Sequence, residues 1–400
     1  MLGPLAGSRV IDLSRVLAGP WATQSLADLG AEVIKIERPD TGDDTRAFAP
    51  FLAGKGGKPG ESVYFLSANR GKKSVTIDIS KPEGAELAQR LIGEADVLVE
   101  NYKVGNLAKF HLDYPSLSAR NPGLIYCSIT GFGQTGPNRK RAGYDLVIQA
   151  MGGMMAITGP VDQPMKSGVA IADLLTGLYA TQAILAALHE REKSGLGQHI
   201  DLALLDVQVA TLANLGAEYL MTGENPKRHG NAHGSIVPYQ DFPTKDGRIM
   251  LAVANDAQFA RLAQVLGTPE LASDPRYKLN VDRVKNRLEL VPTIAKRFAL
   301  RTSATWLAQL DEEGIPAGPI NSLEEVFNEP QLEARHSLIE FSGEDGDPIR
   351  LVGSPIKLSR TPVAHTIRPP RLGADTEEVL RSLLKLSPEE ISRLHDNKIT

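Results

Sequence analysis

The dominant pattern in the chain is residues 168–190, GVAIADLLTGLYATQAILAALHE, where small and apolar side chains surround one carboxylate, Asp173, until charge resumes at the end. From Leu174 onward, Leu174, Leu178, Leu185 and Leu188 recur at helical spacing, and most of what lies between them is apolar too. That pattern predicts a helix buried on nearly all sides. Asp173 stands just before the run. There it can cap the first free N–H groups, or it can be a carboxylate at the floor of a dry pocket, kept anionic by the helix dipole. The local residues fit both readings.

Earlier in the chain the pattern alternates between short apolar runs and amphipathic stretches. Residues 10–13 predict a strand, 21–29 a helix and 32–36 (EVIKI) a second strand, a βαβ unit and hence part of a parallel sheet. A second unit follows: strand 74–79 (SVTIDI), a helix over 82–92 with Ser80 as its cap and Pro82 in its first turn, and strand 96–100. Strands at 124–128 (LIYCS) and 198–202 extend the sheet, and 203–221 predicts a second apolar helix. Such alternation implies an α/β fold with an open, Rossmann-like parallel sheet.

The pattern then changes. Residues 223–234 (GENPKRHGNAHG) are loop, and 238–254 predict a hairpin turning at Lys245–Asp246–Gly247. Residues 256–313 are mostly amphipathic helix, and 314–319 (GIPAGP) form a hinge-like stretch. The expected organisation is a large α/β domain over 1–222, a small α+β domain over 223–330 and a segment, 331–400, that returns to the large domain with a terminal helix over 376–384.

Composition narrows the class. The 400 residues are 42% hydrophobic and 23% charged, with a formal net charge of -4, which argues against a nucleic-acid or membrane-surface partner. One cysteine, Cys127, excludes an intramolecular disulfide and a cysteine-rich zinc site. No basic segment followed by an apolar core opens the chain, and the 174–188 run is short and interrupted by Thr176, Thr181 and Gln182. A cytoplasmic protein without a membrane span is the expectation.

Open α/β sheets bind ligands at the carboxyl ends of their strands. Polar residues fall at those ends: Arg15, then Glu37 and Arg38, then Asn101, Tyr102 and Lys103. The turn 130–137 (TGFGQTGP) offers backbone N–H groups to an anion. Lys72, Lys73, Lys109 and Arg139–Lys140–Arg141 add positive charge to the same half. A polyanionic ligand fits. The first βα loop, SRVLAGP, lacks G-x-G-x-x-G, so a dinucleotide cofactor does not.

Several stretches together resemble the family III CoA-transferases (CaiB/BaiF type), the group of formyl-CoA:oxalate and carnitine CoA-transferases. They are LAGPWATQSLADLGAEVIKIERPDTGDDTR, ADVLVENYKVGNLAKFHLDY, IYCSITGFGQTGP, GYDLVIQAMGG, GVAIADLLTGLYA, GQHIDLALLD, GIPAGPINSLEEVFNEPQ and RLGADTEEVL, in the family's order over nearly the whole chain. The resemblance implies that Asp173 is the catalytic nucleophile. It implies CoA contacts at Val16, Leu17, Ala18, Arg38, Lys72, Lys73, Asn101, Tyr102, Lys109 and Phe132, and substrate contacts at Tyr144, His233 and Gly234. The implied reaction moves CoA from an acyl-CoA, such as succinyl-CoA, to a carboxylic acid through an aspartyl anhydride and an aspartyl–CoA thioester. Gly131–Gly133 and Gly152–Gly153 are the expected oxyanion donors. No metal or redox cofactor is expected beyond CoA as co-substrate, and the implied assembly is an interlocked homodimer.

Two departures refine the activity. The related α-methylacyl-CoA racemases carry a catalytic histidine in G-H-D, where this chain has Gly143–Tyr144–Asp145; without that base, racemization is the alternative rather than the expectation. A carnitine-type transferase is the other alternative. The tetraglycine loop of the oxalate enzymes is replaced by His233–Gly234–Ser235–Ile236, and Leu17 stands where some members have glutamine. A bulkier loop implies a different acceptor, and Arg228, His229 and His233 beside it fit either ligands for the second carboxylate of a dicarboxylate or plain exposed loop residues.

Overall fold

The computed structural model describes residues 3–54, 59–343 and 348–400. By contact it divides into two compact units, Met1–Gly153 with Gly168–Gly216 and Gln331–Thr400, and Met154–Ser167 with Ala217–Pro330. Nothing in the hydrophobic pattern marks Met154–Ser167 as part of the second.

The first unit is built on six strands: β1 (Arg9–Asp12), β2 (Glu32–Glu37), β3 (Lys72–Thr76), β4 (Val97–Glu100), β5 (Ile125–Thr130) and β6 (His199–Ala203). They pair in the order β3-β2-β1-β4-β5-β6, all parallel, with Val10 opposite both Val33 and Val97. The strands carry apolar side chains toward both faces because helices cover both. On one face Ile11, Ile34, Val75, Leu98 and Tyr126 pack with Leu87 and Leu91 of α3 (Pro82–Gly93) and with Val379 and Leu380 from the C-terminal segment. On the other, Val10, Val33, Val97 and Ile125 meet Ala22 and Leu26 of α1 (Ala18–Asp28) and Ala180 and Ile184 of the long helix. A short helix, α2 (Val63–Ser67), stands between β2 and β3 in the chain.

That long helix, α5, runs Ile171–Ser194 after α4 (Asp145–Met151). It begins two residues before Asp173, so Asp173 lies inside its first turn and is not its N-cap. Nor is α5 buried all round. Ala172, Thr176, Gly177, Ala180, Thr181, Ile184 and Ala187 face inward, while Leu178, Tyr179 and Leu185 are 51%, 41% and 36% exposed. By length and composition it is long enough to cross a membrane, which corrects the expectation of a short run; its inward face is instead part of the sheet's core.

Other boundaries move for local reasons. Lys81 rather than Ser80 precedes α3, because Ser80 bonds back to Asp78. Residues 203–221 form two helices, α6 (Leu204–Ala210) and α7 (Ala213–Thr222), with Ala213 at φ 48° at the break.

The second unit holds a three-stranded antiparallel sheet of β7 (Tyr239–Pro243), β8 (Arg248–Ala252) and β9 (Ala317–Pro319), in the order β9-β8-β7. Phe242, Ile249 and Leu251 from the sheet pack with Phe259, Leu290, Phe298 and Trp306 from the helices that follow.

Candidate active site

Between β1 and β4 the strand order reverses direction, and that switch point is where an open parallel sheet leaves a crevice. Asn101 ties its two lips together. Its Oδ1 accepts the Arg15 N–H at 2.9 Å, and its Nδ2 donates to the Arg15 carbonyl at 2.7 Å. The Arg15 guanidinium lies 5.2 Å from the centre of the Tyr102 ring.

Beneath the loop after β1 sits a buried ion network. Lys35 pairs with Asp43 at 2.9 Å and donates to the Ser14 carbonyl at 2.7 Å. Burial opposes its charge, but Asp43, Asp12 and Glu37 together hold it protonated beyond the usual lysine range. Asp43 in turn accepts the N–H of Val16 at 3.2 and 3.3 Å. Val16 has φ 70°, a left-handed conformation that a β-branched residue adopts at a cost of about 1–3 kcal/mol unless its surroundings impose it. The network imposes it, and so fixes where Leu17 and Ala18 begin α1. The first N–H groups of a helix have no intrahelical acceptor, and the Leu17 side chain supplies none.

Asp173 faces that helix start. One turn further along α5, a Cβ on Gly177 would lie 2.8 Å from the Ala18 carbonyl oxygen, so glycine lets α1 and α5 close on each other. A similar contact shapes the opposite wall, where a Cβ on Gly131 would meet the Cα of Gly143 at 2.7 Å. That contact seats the Gly143–Tyr144–Asp145 turn. The resulting cavity, about 190 Å³, is lined by Val16, Leu17, Ala18, Asn101, Tyr102, Tyr144 and Asp173, with Arg15, Lys103, Arg139, Lys140 and Arg141 supplying positive charge. A second cavity of about 390 Å³ shares Arg15 and Tyr102 with the first and includes Arg38, Ser80 and Phe110.

The cap of α5 comes from Asp145. Its Oδ1 accepts the N–H of Ala172 at 2.9 Å and that of Asp173 at 3.4 Å, and its Oδ2 accepts the Gln149 amide at 2.7 Å. Burial, and then the Asp145 charge, push the Asp173 carboxyl up to about 7. Burial likewise raises the Tyr64 hydroxyl on α2, helped by Asp173, Asp145 and Asp43. In the sequence Asp145 stands out only as the neighbour of a missing histidine, and Tyr64 carries no signal, since no local pattern links α2 to a segment more than 100 residues away.

The remaining expected residues divide. Phe132 lies beside the first cavity, half-buried, with the Arg141 guanidinium 5.5 Å from its ring centre. Lys109 is exposed and stands 4.7 Å over Phe110, a wall of the second cavity. Lys72 and Lys73 are held by partners within the fold. Lys72 is fully buried and its ammonium is satisfied by Asp12 at 3.0 Å, the Pro20 carbonyl and Asn69. Burial pushes it down to about 8 despite Asp12. Lys73 is the second residue of β3, near the amino end of the strand, and pairs with Glu32 and Glu378. Neither side chain lines either cavity.

Within the glycine turns, the Gly133 N–H bonds the Thr130 hydroxyl and the Gly152 N–H bonds the Ile148 carbonyl, so these two donors are spent within the fold. In the second unit, the Arg228 guanidinium donates to the carbonyls of Ala156, Pro160 and Val161. His233 accepts the Ser235 N–H through Nδ1, and Arg287, which the sequence pattern places only on a charged helix face, holds the carbonyls of His233 and Gly234.

A carboxylate in a cation-lined crevice at the switch point of a parallel sheet defines an α/β enzyme built to receive an anionic substrate. Residues 5–376 match CoA-transferase family III, and the chain belongs to that family. It is 50% identical over 382 residues to the succinate–glutarate CoA-transferase of Agrobacterium fabrum, covering 95% of this chain and 96% of that one. It is 46% identical over 392 residues to the succinyl-CoA:glutarate CoA-transferase of Mus musculus, covering 98% and 89%. The crystal structure of a CAIB/BAIF family protein from Brucella suis is similar at a TM-score of 0.85 and 46% identity, covering 96% of this chain and all of that one. The protein is thus a CoA-transferase, and CoA is its substrate.

Proposed function

We propose that the protein moves CoA from succinyl-CoA to a dicarboxylic acid of the glutarate class, with Asp173 as the covalent nucleophile. The observation that carries this reading is the Asp173 carboxyl itself, held up to about 7 on the wall of a cation-lined cavity. A carboxylate that basic is a better nucleophile than an ordinary surface aspartate. The substrate class rests on the relatives at 50% and 46% identity, both named for succinate or succinyl-CoA with glutarate.

In the proposed sequence, a carboxylate oxygen of Asp173 attacks the thioester carbon, the C–S bond breaks and CoA leaves as thiolate. The thiolate then attacks the aspartyl carbonyl of the anhydride and releases succinate. The acceptor carboxylate attacks the enzyme thioester and expels CoA as thiolate, and the thiolate then attacks the acceptor's acyl carbon and frees the Asp173 carboxylate. The Leu17 and Ala18 N–H groups at the start of α1 are the donors we assign to the developing oxyanions. Arg15, Lys103 and Arg139–Arg141 offer charge to the phosphates, and Arg38 does so in the second cavity.

We further infer a homodimer. Its support is the outer stripe of α5, where Leu178, Tyr179 and Leu185 stay open in one chain and lie at spacings that a facing helix covers.

The direct test is mass spectrometry of the protein mixed with succinyl-CoA, quenched and digested. The reading requires a CoA or succinyl adduct on the Asp173 peptide that is absent from Asp173→Asn, and turnover with glutarate. Turnover without any adduct on that peptide would remove Asp173 from the proposal.

A further inference from the structure

The amino end of α5 is the natural place to stabilise an anionic Asp173, because helix N-terminal N–H groups favour nearby negative charge. Here those groups are already taken. The Ala172 and Asp173 N–H groups point to Asp145 Oδ1, at 2.9 and 3.4 Å, and Asp145 arrives from α4, 28 residues earlier in the chain. The Gln149 amide fixes its other oxygen at 2.7 Å. Two carboxylates therefore share one helix terminus, and only one of them receives its hydrogen bonds.

We propose that Asp145 is a positioning residue that claims the N–H groups at the start of α5 with its own charge, denies them to Asp173, and so drives the Asp173 carboxylate toward covalent chemistry. The inference rests on the nucleophilic role proposed above for Asp173.

The physical argument is differential. In free enzyme the Asp173 carboxylate is negative and faces Asp145. In the enzyme–CoA thioester that carboxylate has become a neutral acyl group, and the negative charge has left with succinate. The net exchange is enzyme carboxylate plus succinyl-CoA giving enzyme thioester plus succinate, so charge balances overall. The Asp145–Asp173 repulsion is present on the left side only. Asp145 therefore destabilises the free carboxylate and leaves the intermediate untouched, the condition under which an interaction speeds a step instead of merely tightening binding.

The other groups around Asp173 act in defined directions. Tyr64 faces it from α2, and its hydroxyl is raised by the same carboxylates. Tyr144 and the cations Arg15, Lys103 and Arg139–Arg141 share the cavity, Arg15 being partly neutralised by Asp44 at 3.0 Å. These cations lower the energy of any anion in the cavity. Burial and Asp145 outweigh them, since Asp173 stands at about 7.

The experiment compares wild type with Asp145→Asn, which keeps an oxygen acceptor but no charge, Asp145→Ser, a second neutral cap, and Asp145→Glu, which restores the charge. Two quantities are read across the neutral pH range: the acid limb of kcat/KM, and the fraction of Asp173–CoA thioester at a fixed ratio of succinyl-CoA to succinate. In wild type the limb is expected near 7. In the two neutral variants it should fall by about one pH unit, with a thioester fraction about tenfold lower above the limb and unchanged below it. Asp145→Glu should restore both. Glu100 is also held near 7 by burial, so the limb is assigned by its movement with Asp145 and not by its value alone. Neutral variants that lose rate while the limb stays in place would leave Asp145 a plain structural cap and overturn the inference. Wild type that takes no label at Asp173 would overturn the proposed mechanism and this inference together.

Discussion

Gly177 and Ala18 stand in direct contact across α1 and α5: a single methyl group on Gly177 would lie 2.8 Å from the Ala18 carbonyl oxygen and 3.1 Å from the Trp21 side chain. This approach sets two helix starts side by side, the one whose Leu17 and Ala18 N–H groups meet no acceptor among the described residues and the one bearing Asp173. Gly177→Ala must push the helices apart, because a backbone oxygen cannot swing away as a side chain does. Overpacking of this kind costs about 1–3 kcal/mol. The expected outcome is a lower Tm and a kcat reduced more than tenfold, with a smaller effect on acyl-CoA affinity. A Gly177→Ala protein with wild-type Tm and kcat would refute this account of how the site is assembled.

The raised Asp173 carboxyl also has a consequence for stability. In the unfolded chain this group ionises near 3.8, and in the folded protein near 7. Between those values the folded state binds more protons, so stability falls as pH rises from about 4 to about 7 and then levels off. Asp173→Asn carries no such penalty. Its stability advantage should be absent below about pH 4, open between the two values, and reach about 2 kcal/mol above pH 7 once solvent screening of a partly exposed group is allowed for. Thermal melts of both proteins across that range measure it, and a gap that closes at alkaline pH would contradict the raised value.

Lys72 and Arg38 should separate stability from substrate binding. Removing the Lys72 charge leaves Asp12 buried and unpaired by its nearest cation, an arrangement that costs about 3 kcal/mol or more. Lys72→Met should therefore melt earlier while keeping its KM for succinyl-CoA. Arg38 is exposed and borders the second cavity. Arg38→Ala should keep its Tm and raise that KM about fivefold at low salt, with the difference shrinking as ionic strength screens the phosphates. The reverse pairing of effects would mean that Lys72 leaves its interior position to meet the ligand.

These contrasts explain what the amino-acid pattern could and could not convey. The central strands were legible because their apolar residues stand between turn residues, and Val10–Ile11 or Val97–Leu98 feed opposite faces of one sheet, whereas β3 (Lys72–Thr76) begins two residues before the expected 74–79 on a pair of lysines. Asp173 was legible by resemblance, but its place inside the first turn of α5 was not. The residue that caps the helix, Asp145, lies 28 positions earlier and meets it only in the folded state. Lys72 read as a surface cation because a sequence does not record that Asp12, 60 residues away, waits for it in the interior.

The apolar run of α5 was misread for a different reason, and that reason is testable. A composition that is apolar all round predicts burial, yet one chain covers only one side and leaves Leu178, Tyr179 and Leu185 open. Residues 178, 182 and 185 lie on one face, and Gln182 is the single polar group among them. A second copy would account for the missing cover, at about 25 cal/mol for each Å² of apolar surface removed from water. Placing charges at both ends of this face should then be costly only in the assembled protein. Light scattering should give twice the chain mass for wild type, and a shift toward single chains for the double variant Leu178→Asp, Leu185→Asp. Wild type that scatters as a single chain at all concentrations would leave this face without the partner we infer.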